Sequence, residues 1–372
     1  MKHEITPPVA RPSGPQKRFD AVYRILEDAI AAHAFPGCAF GVLAGRSIVL
    51  QDALGRFTYE ENAPIVAADT VFDLASITKV AATTTATMLL HQRGLLDLEA
   101  PLGALLPGFL AGRAPGDPAR LVTLRHLLAH NSGLPGYVKF FRNATTAPAL
   151  LAALLRLPLE AAPGVRVEYS DPGFMLLGKA LEVGLGEPLA TWLQKEVFEP
   201  LGMTATGFCP ETDLRASIPP TEQDTWFRHR RVQGEVQDEN AAILGGAAGH
   251  AGLFSNVPDL LCFAREVLAA GGKAGESRLF SKVTIKCFAQ RQGPEGSPWA
   301  LGWDTPSGVS SSGHFFSPHT IGHLGFSGCS LWIDLQDEIS VVLLTNRTWP
   351  DRKCQLIREV RPAFHDAARK SM

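Results

Sequence analysis

Ser76 and Lys79 stand three residues apart in Ser76-Ile77-Thr78-Lys79, and this spacing places both on one face of a helix, one turn from each other. If the helix begins at Ser76, its hydroxyl lies among unpaired backbone N–H groups at the positive end. A lysine amine one turn along can take or hold the serine's proton. That is a nucleophile with a basic partner, the arrangement by which acyl transfer proceeds without a Ser-His-Asp triad. A chain of this length contains about one S-x-x-K by chance, so the flanks carry weight. Phe72-Asp73-Leu74-Ala75 is a short apolar approach, and Val80 to Leu90 continues an apolar helical stretch that ends by Gly94.

A Ser–Lys pair needs an acid/base for the leaving group and donors for the oxyanion. Tyr169 is one of only four tyrosines and opens the triplet Tyr169-Ser170-Asp171, between the turn Ala162-Pro163-Gly164 and the apolar stretch Met175 to Gly178. A tyrosine on such a turn can project into a cleft. The third piece is His323-Leu324-Gly325-Phe326, just before the predicted strand Gly328–Asp334. Gly325 at a strand edge would let a substrate lie against the backbone. The Phe326 N–H would face the Ser76 N–H across the oxyanion, and His323 would line the same pocket.

These elements must be positioned by a large fold. The chain has 372 residues, 45% apolar and 19% charged, with a net charge of −2. It can bury a sizeable core, and its charge gives no electrostatic case for nucleic acid or an anionic membrane as partner. The basic run Arg228-His229-Arg230-Arg231 has Glu235, Asp238 and Glu239 nearby and reads as a solvated loop. Six scattered cysteines without C-x-x-C read as buried free thiols. No run is long and apolar enough to span a bilayer, and residues 1–20 lack a secretory core, so a cytoplasmic protein is expected.

Residues 1–15 read as a disordered tail. Arg18 to Ala34 shows helical spacing, and Cys38–Leu43 and Ser47–Ala53 read as a hairpin through Ala44-Gly45-Arg46. The middle is mostly helical in pattern, with Leu124–Ala129 and Pro148–Leu157 clearest. Gly207–Gly252 reads as a long loop bordering a cleft. Trp299–Trp303, Cys329–Asp334 and Ile339–Thr345 read as strands, and Arg352–Ala368 as a closing helix. The fold expected is α+β: an α/β sandwich whose antiparallel sheet is built from both chain ends (16–75 and 296–372), flanked by helices, with a mainly helical lobe (76–295) inserted and the site at the interface.

S-x-x-K, Y-x-[N/D] and H-x-G in this order resemble the serine β-lactamase and penicillin-binding-protein superfamily, in particular class C β-lactamases and related esterases and D-amino-acid peptidases. Leu124 to Pro135, Pro200-Leu201-Gly202-Met203 and Gly249 to Ser255 fit as well, and the resemblance covers roughly residues 18 to 360. It implies that Ser76 forms an acyl-enzyme on a small-molecule substrate. Lys79 and Tyr169 would share the general-base duty, the N–H groups of Ser76 and Phe326 would hold the oxyanion, and Asp171, His323, Leu324 and Gly325 would contact substrate. No cofactor or metal is implied. Which of Lys79 and Tyr169 is the resting base stays open, and either needs a downward pKa shift to act near neutral pH.

Two departures bear on substrate. Asp171 stands where the family has Asn; a carboxylate cannot donate to a substrate carbonyl and is expected to pair with Lys79 instead. His323 replaces a lysine, removing a fixed positive charge that binds a substrate carboxylate. Both favour an esterase or amidase on small substrates over a β-lactamase, D-Ala-D-Ala carboxypeptidase or D-aminopeptidase. An acylating sensor without turnover is a further alternative, and the oligomeric state is not legible. Lys273-Ala274-Gly275 lacks a following strand and is set aside as a third motif. His126 and His130 lack the glutamate of H-E-x-x-H, and are read as structural. His250 and Asp238-Glu239-Asn240 can contact substrate or cap local turns.

Overall fold

Two long apolar runs make the centre of the fold. A computed structural model describes residues 15–272 and 276–372; the expected N-terminal tail and Lys273-Ala274-Gly275 fall largely or wholly outside the described residues. Strand β1 (Gly37–Ala44) lies beside the hairpin partner β2 (Ser47–Gly55), joined through Gly45 at φ +56°. Strands β3 (Thr320–Leu324), β4 (Ser330–Asp334) and β5 (Ile339–Thr345) come from the other end of the chain. The five form one antiparallel sheet in the order β2-β1-β5-β4-β3. β1 meets β5 from Cys38↔Thr345 to Ala44↔Ile339, so the two chain ends meet at the sheet's middle.

The central strands are apolar throughout because helices cover both faces. On one face pack α1 (Asp20–Ala31) and the C-terminal α4 (Ile357–Lys370), through Val22, Leu26, Phe40, Val341, Leu343 and Phe364. On the other lies α3 (Val257–Gly271), through Leu260, Leu261 and Ala264 against Val342 and Leu344. Gly41 permits that close approach: a Cβ there would stand 2.6 Å from Val257 Cγ1. The helices between β2 and β3 include α2 (Asp171–Leu185), capped by the Ser170 hydroxyl, which accepts from the Gly173 N–H at 3.0 Å.

Several elements differ from expectation. Trp299–Trp303 is not a strand. Gly302 takes φ +83° and folds the segment into a turn, with isolated bridges Trp299↔Asp304 and Asp304↔Gly322. His323 precedes β4 as expected, but it also lies inside an edge strand, β3, that was not expected. The closing helix starts at Ile357, leaving Arg352 on an irregular segment. The 207–252 stretch holds short strands at Glu222–Asp224 and Arg230–Val232 and a helical turn at Glu239–Ile243. Arg228 is not solvated: it is buried against Asp224 and donates to the Val236 and Gln237 carbonyls. Of the six free cysteines, only Cys38 and Cys329 are fully buried. Among the described residues no helix is long and apolar enough to cross a membrane.

Candidate active site

Ser76 sits in a tight turn forced by its neighbours. Ala75 has φ +47°, a left-handed conformation that costs an L-residue about 1–2 kcal/mol. The buried Asp73 carboxylate holds that turn by accepting the Ala75 N–H at 2.8 Å. A single 3₁₀ turn, Ala75–Ile77, then runs into a π-helical segment, Lys79–Thr84, and an α-helix, Thr85–Gln92. Wide π turns of this kind gather at functional sites.

Lys79 is fully buried. Its Nζ donates to Ser76 Oγ at 3.0 Å, to Asp171 Oδ1 at 2.6 Å and to the His250 carbonyl at 3.2 Å. Asp171 reaches it from the first turn of α2. Tyr169, two residues earlier, places its phenol beside Lys79 and Ser76, and Lys79 Nζ is 4.8 Å from its ring centre. The structure therefore brings Ser76, Lys79, Tyr169 and Asp171 together from positions distant in sequence. Burial works against the Lys79 ammonium, but Asp171, joined by Tyr169, outweighs it and holds the lysine above its usual range. Burial pushes the Tyr169 phenol up, against the pull of Lys79. The expected downward shift is absent from both, and the resting pair is an ammonium and a phenol.

His323 lies on β3 with Nδ1 2.8 Å from the Leu324 carbonyl. A carbonyl only accepts, so Nδ1 carries the proton. Burial, reinforced by Lys79, lowers the ring's pKa to about 3, and it is neutral. A Cβ at Gly325 would fall on the Leu74 carbonyl oxygen, so the glycine is required for packing beneath the nucleophile turn. Phe326 is half exposed, with Arg347 over its ring at 4.4 Å. Among the described residues the Ser76 and Phe326 N–H groups have no acceptor.

A cleft of about 960 Å³ runs over these residues. Ser76, Tyr169, Asp171, His323, Leu324, Gly325 and Phe326 all line it; Lys79 is sealed beneath. The 207–252 stretch supplies a wall through Trp226, Asp238, Glu239 and His250. His250 is held by Asp238 at 2.9 Å, and Asp238 also caps the Glu239–Ile243 turn. Asn240 instead braces Phe141 and Val138.

Some participants escaped sequence reading. Trp299 stacks on Tyr169 at 5.3 Å, and His130 packs on both rings at 4.5–4.7 Å while its Nδ1 accepts the Ser170 N–H. The L-R-H-L-L-A-H-N-S-G stretch was the available signal for His130. His126 stands apart, capping the Leu124–Leu128 helix with Thr123. Arg347, Arg352, Arg358 and Arg361 also line the cleft. Arg352 pairs with Glu222 and Glu239, whereas the other three have no carboxylate partner among the described residues.

A buried serine–lysine–tyrosine cluster between an antiparallel sheet edge and a helical region is a family-level feature, and the β-lactamase family model matches residues 22–362. The chain belongs to the β-lactamase family. It is 32% identical to a putative D-alanyl-D-alanine carboxypeptidase of Escherichia coli (strain K12), over 75% of this chain and 69% of that one. It is 31% identical to an N-acetylmuramyl-L-alanine amidase of Bacillus subtilis (strain 168), over 89% and 81%. Its fold is similar to that of EstCE1, described as a hydrolase with promiscuous acyltransferase activity, with a TM-score of 0.74 at 23% identity and coverage of 94% and 99%. As a β-lactamase-family member, the chain is a serine hydrolase of mixed helix and antiparallel sheet.

Proposed function

We propose that the protein hydrolyses a small ester or amide through an acyl-enzyme on Ser76. The observation that carries this reading is the position of Lys79 Nζ, 3.0 Å from Ser76 Oγ and 2.6 Å from Asp171 Oδ1, beneath a cleft that Ser76 itself lines. Ser76 Oγ attacks the substrate carbonyl carbon while its proton passes to Tyr169 in its phenolate form, held beside the Lys79 ammonium. The oxyanion sits on the Ser76 and Phe326 N–H groups. Collapse breaks the bond to the leaving group, which takes the proton back. Water then attacks the acyl carbon, releases the acid and restores the serine. Asp171 keeps Lys79 charged, which leaves Tyr169 as the group that exchanges the proton.

The test is fluorophosphonate labelling with peptide mapping. The wild type is expected to carry the label on Ser76 and Ser76→Ala to remain unlabelled; label elsewhere, or none, refutes the reading. Incubation with a p-nitrophenyl ester followed by intact mass separates turnover from a sensor, in which the acyl group persists.

A second reading has its own support. His323 removes one positive charge, but Arg358 brings an exposed guanidinium to the same cleft with no carboxylate partner among the described residues, beside Arg347 and Arg361, which donate to main-chain carbonyls. That favours a substrate with a carboxylate, such as a peptide or a β-lactam, in line with the carboxypeptidase and amidase names of the relatives. Turnover of a D-Ala-D-Ala peptide or nitrocefin above that of short neutral esters would decide for it.

A further inference from the structure

One buried acid touches both halves of the oxyanion site without reaching the cleft. Asp73 is 2% exposed and ends the two-residue strand Phe72–Asp73. Its Oδ1 accepts the Ala75 N–H at 2.8 Å, fixing the left-handed residue that precedes Ser76. Its Oδ2 accepts the Gln237 N–H at 2.7 Å, from the wall of the cleft. Its main-chain carbonyl accepts the Ser327 hydroxyl at 2.7 Å, and Ser327 is the residue after Phe326. Directly alongside, Gly325 is packed against the Leu74 carbonyl with no room for a side chain. The two N–H groups assigned to the oxyanion are thus tied to one residue, Ser76 through its side chain and Phe326 through its main chain.

Resting on the Ser76 acyl-enzyme reading, we propose that Asp73 is the positioning residue that sets the spacing of the two oxyanion donors, and that it does so as a carboxylate. The Asx turn to Ala75 alone needs only one acceptor, which Asn provides as well. Two N–H donors converging on one side chain need two acceptor oxygens, and an Asn amide would turn its NH₂ against one of them. Burial pushes the Asp73 carboxyl up to about 6, with Asp238 adding to the rise; the Gln237 and Ala75 N–H groups and Arg228 oppose it. The Cys329 thiol also faces it, 3.7 Å from the main-chain carbonyl. Protonation in mildly acid solution removes one acceptor and releases either the Ser76 turn or the Gln237 wall.

The experiment compares wild type, Asp73→Asn and Ser327→Ala for the rate of fluorophosphonate labelling and for kcat and KM on a p-nitrophenyl ester, from pH 5 to 9. Asp73→Asn is expected to lower the labelling rate and kcat on the order of 10- to 100-fold at pH 8, with KM changed less than threefold, because a displaced oxyanion donor acts on the transition state. Below pH 6 the wild-type rate is expected to fall about one decade per pH unit more steeply than that of Asp73→Asn. Ser327→Ala, which keeps the carboxylate, is expected to lower kcat and retain the steep acid limb. A labelling rate for Asp73→Asn within twofold of wild type, or an acid limb of unchanged steepness, overturns the assignment while leaving Ser76 as nucleophile. Failure of the wild type to label at Ser76 overturns the underlying reading and the assignment with it. If Asp73→Asn does not fold, the Ser327→Ala result decides: kcat unchanged overturns the proposal.

Discussion

Replacing Asp171 by Asn isolates the charge that keeps Lys79 an ammonium. Asn is nearly isosteric and still accepts from Lys79, so the shape of the site is retained. In the wild type the pKa of Lys79 is raised above its ordinary 10.5, so the ion pair contributes fully below that value and is lost only as pH rises through the raised one. In the variant a fully buried lysine has no counter-charge. Removing one partner of a buried pair costs about 3–5 kcal/mol. The lysine can also shed its proton, and at 1.36 kcal/mol per pH unit that route caps the penalty at about 5 kcal/mol at pH 7 and about 1.4 kcal/mol at pH 9.5. The unfolded chain then holds a proton that the folded variant lacks, so the variant gains stability as pH rises. For a chain of this size, 3–5 kcal/mol corresponds to a melting-point deficit of about 4–6 °C. Urea unfolding at pH 7 and pH 9.5 measures both ends. A deficit of the same size at the two pH values would refute the ion-pair account.

Four further outcomes are expected. Tyr169→Phe keeps the stack on Trp299 and loses the hydroxyl; kcat is expected to fall at least about 100-fold with the melting point within about 2 °C, and a smaller loss in kcat would remove the phenol from proton transfer. Because burial raises the Tyr169 pKa, the phenolate gains population as pH rises, and log kcat/KM is expected to climb with unit slope from pH 7 to 9; a plateau below pH 8 would contradict this. Arg358→Ala is expected to raise KM about tenfold for a carboxylate-bearing substrate and leave a neutral ester unchanged, and equal effects on both would argue against an anion contact. Gly325→Ala drives a methyl group into the Leu74 carbonyl, and a stability loss of about 1–3 kcal/mol with reduced activity is expected in urea melts and ester assays.

The central strands were legible because burial on both faces leaves a continuous apolar signature: Ile339–Thr345 was bounded to the residue. β3 was not, because Thr320-Ile321-Gly322-His323-Leu324 has only two large apolar residues and pairs on one edge. Trp299–Trp303 has the composition of a strand, but Gly302 turns the chain where a strand must run straight. The Ser76–Lys79 pair was suggested by residue types and spacing, whereas Tyr169 and the Lys79–Asp171 contact became readable through the family resemblance of the three ordered motifs. The roles of Asp73 and the arginines were not. Asp73 contacts Gln237 and Ser327 through hydrogen bonds, and Arg347 and Arg361 donate to main-chain carbonyls, contacts that no local pattern encodes.

The register Cys38↔Thr345 has a consequence for biosynthesis. Strand β1 leaves the ribosome well before its inner neighbour, β5, is made. Until then the hairpin β1–β2 has one apolar edge open, a surface suited to chaperone capture or aggregation. Closing so long a loop is slow, and the cleft gains its Phe326 wall in the same late event. A polypeptide that stops before residue 320 carries Ser76 but lacks Phe326, the proposed second oxyanion donor, and three of the five sheet strands.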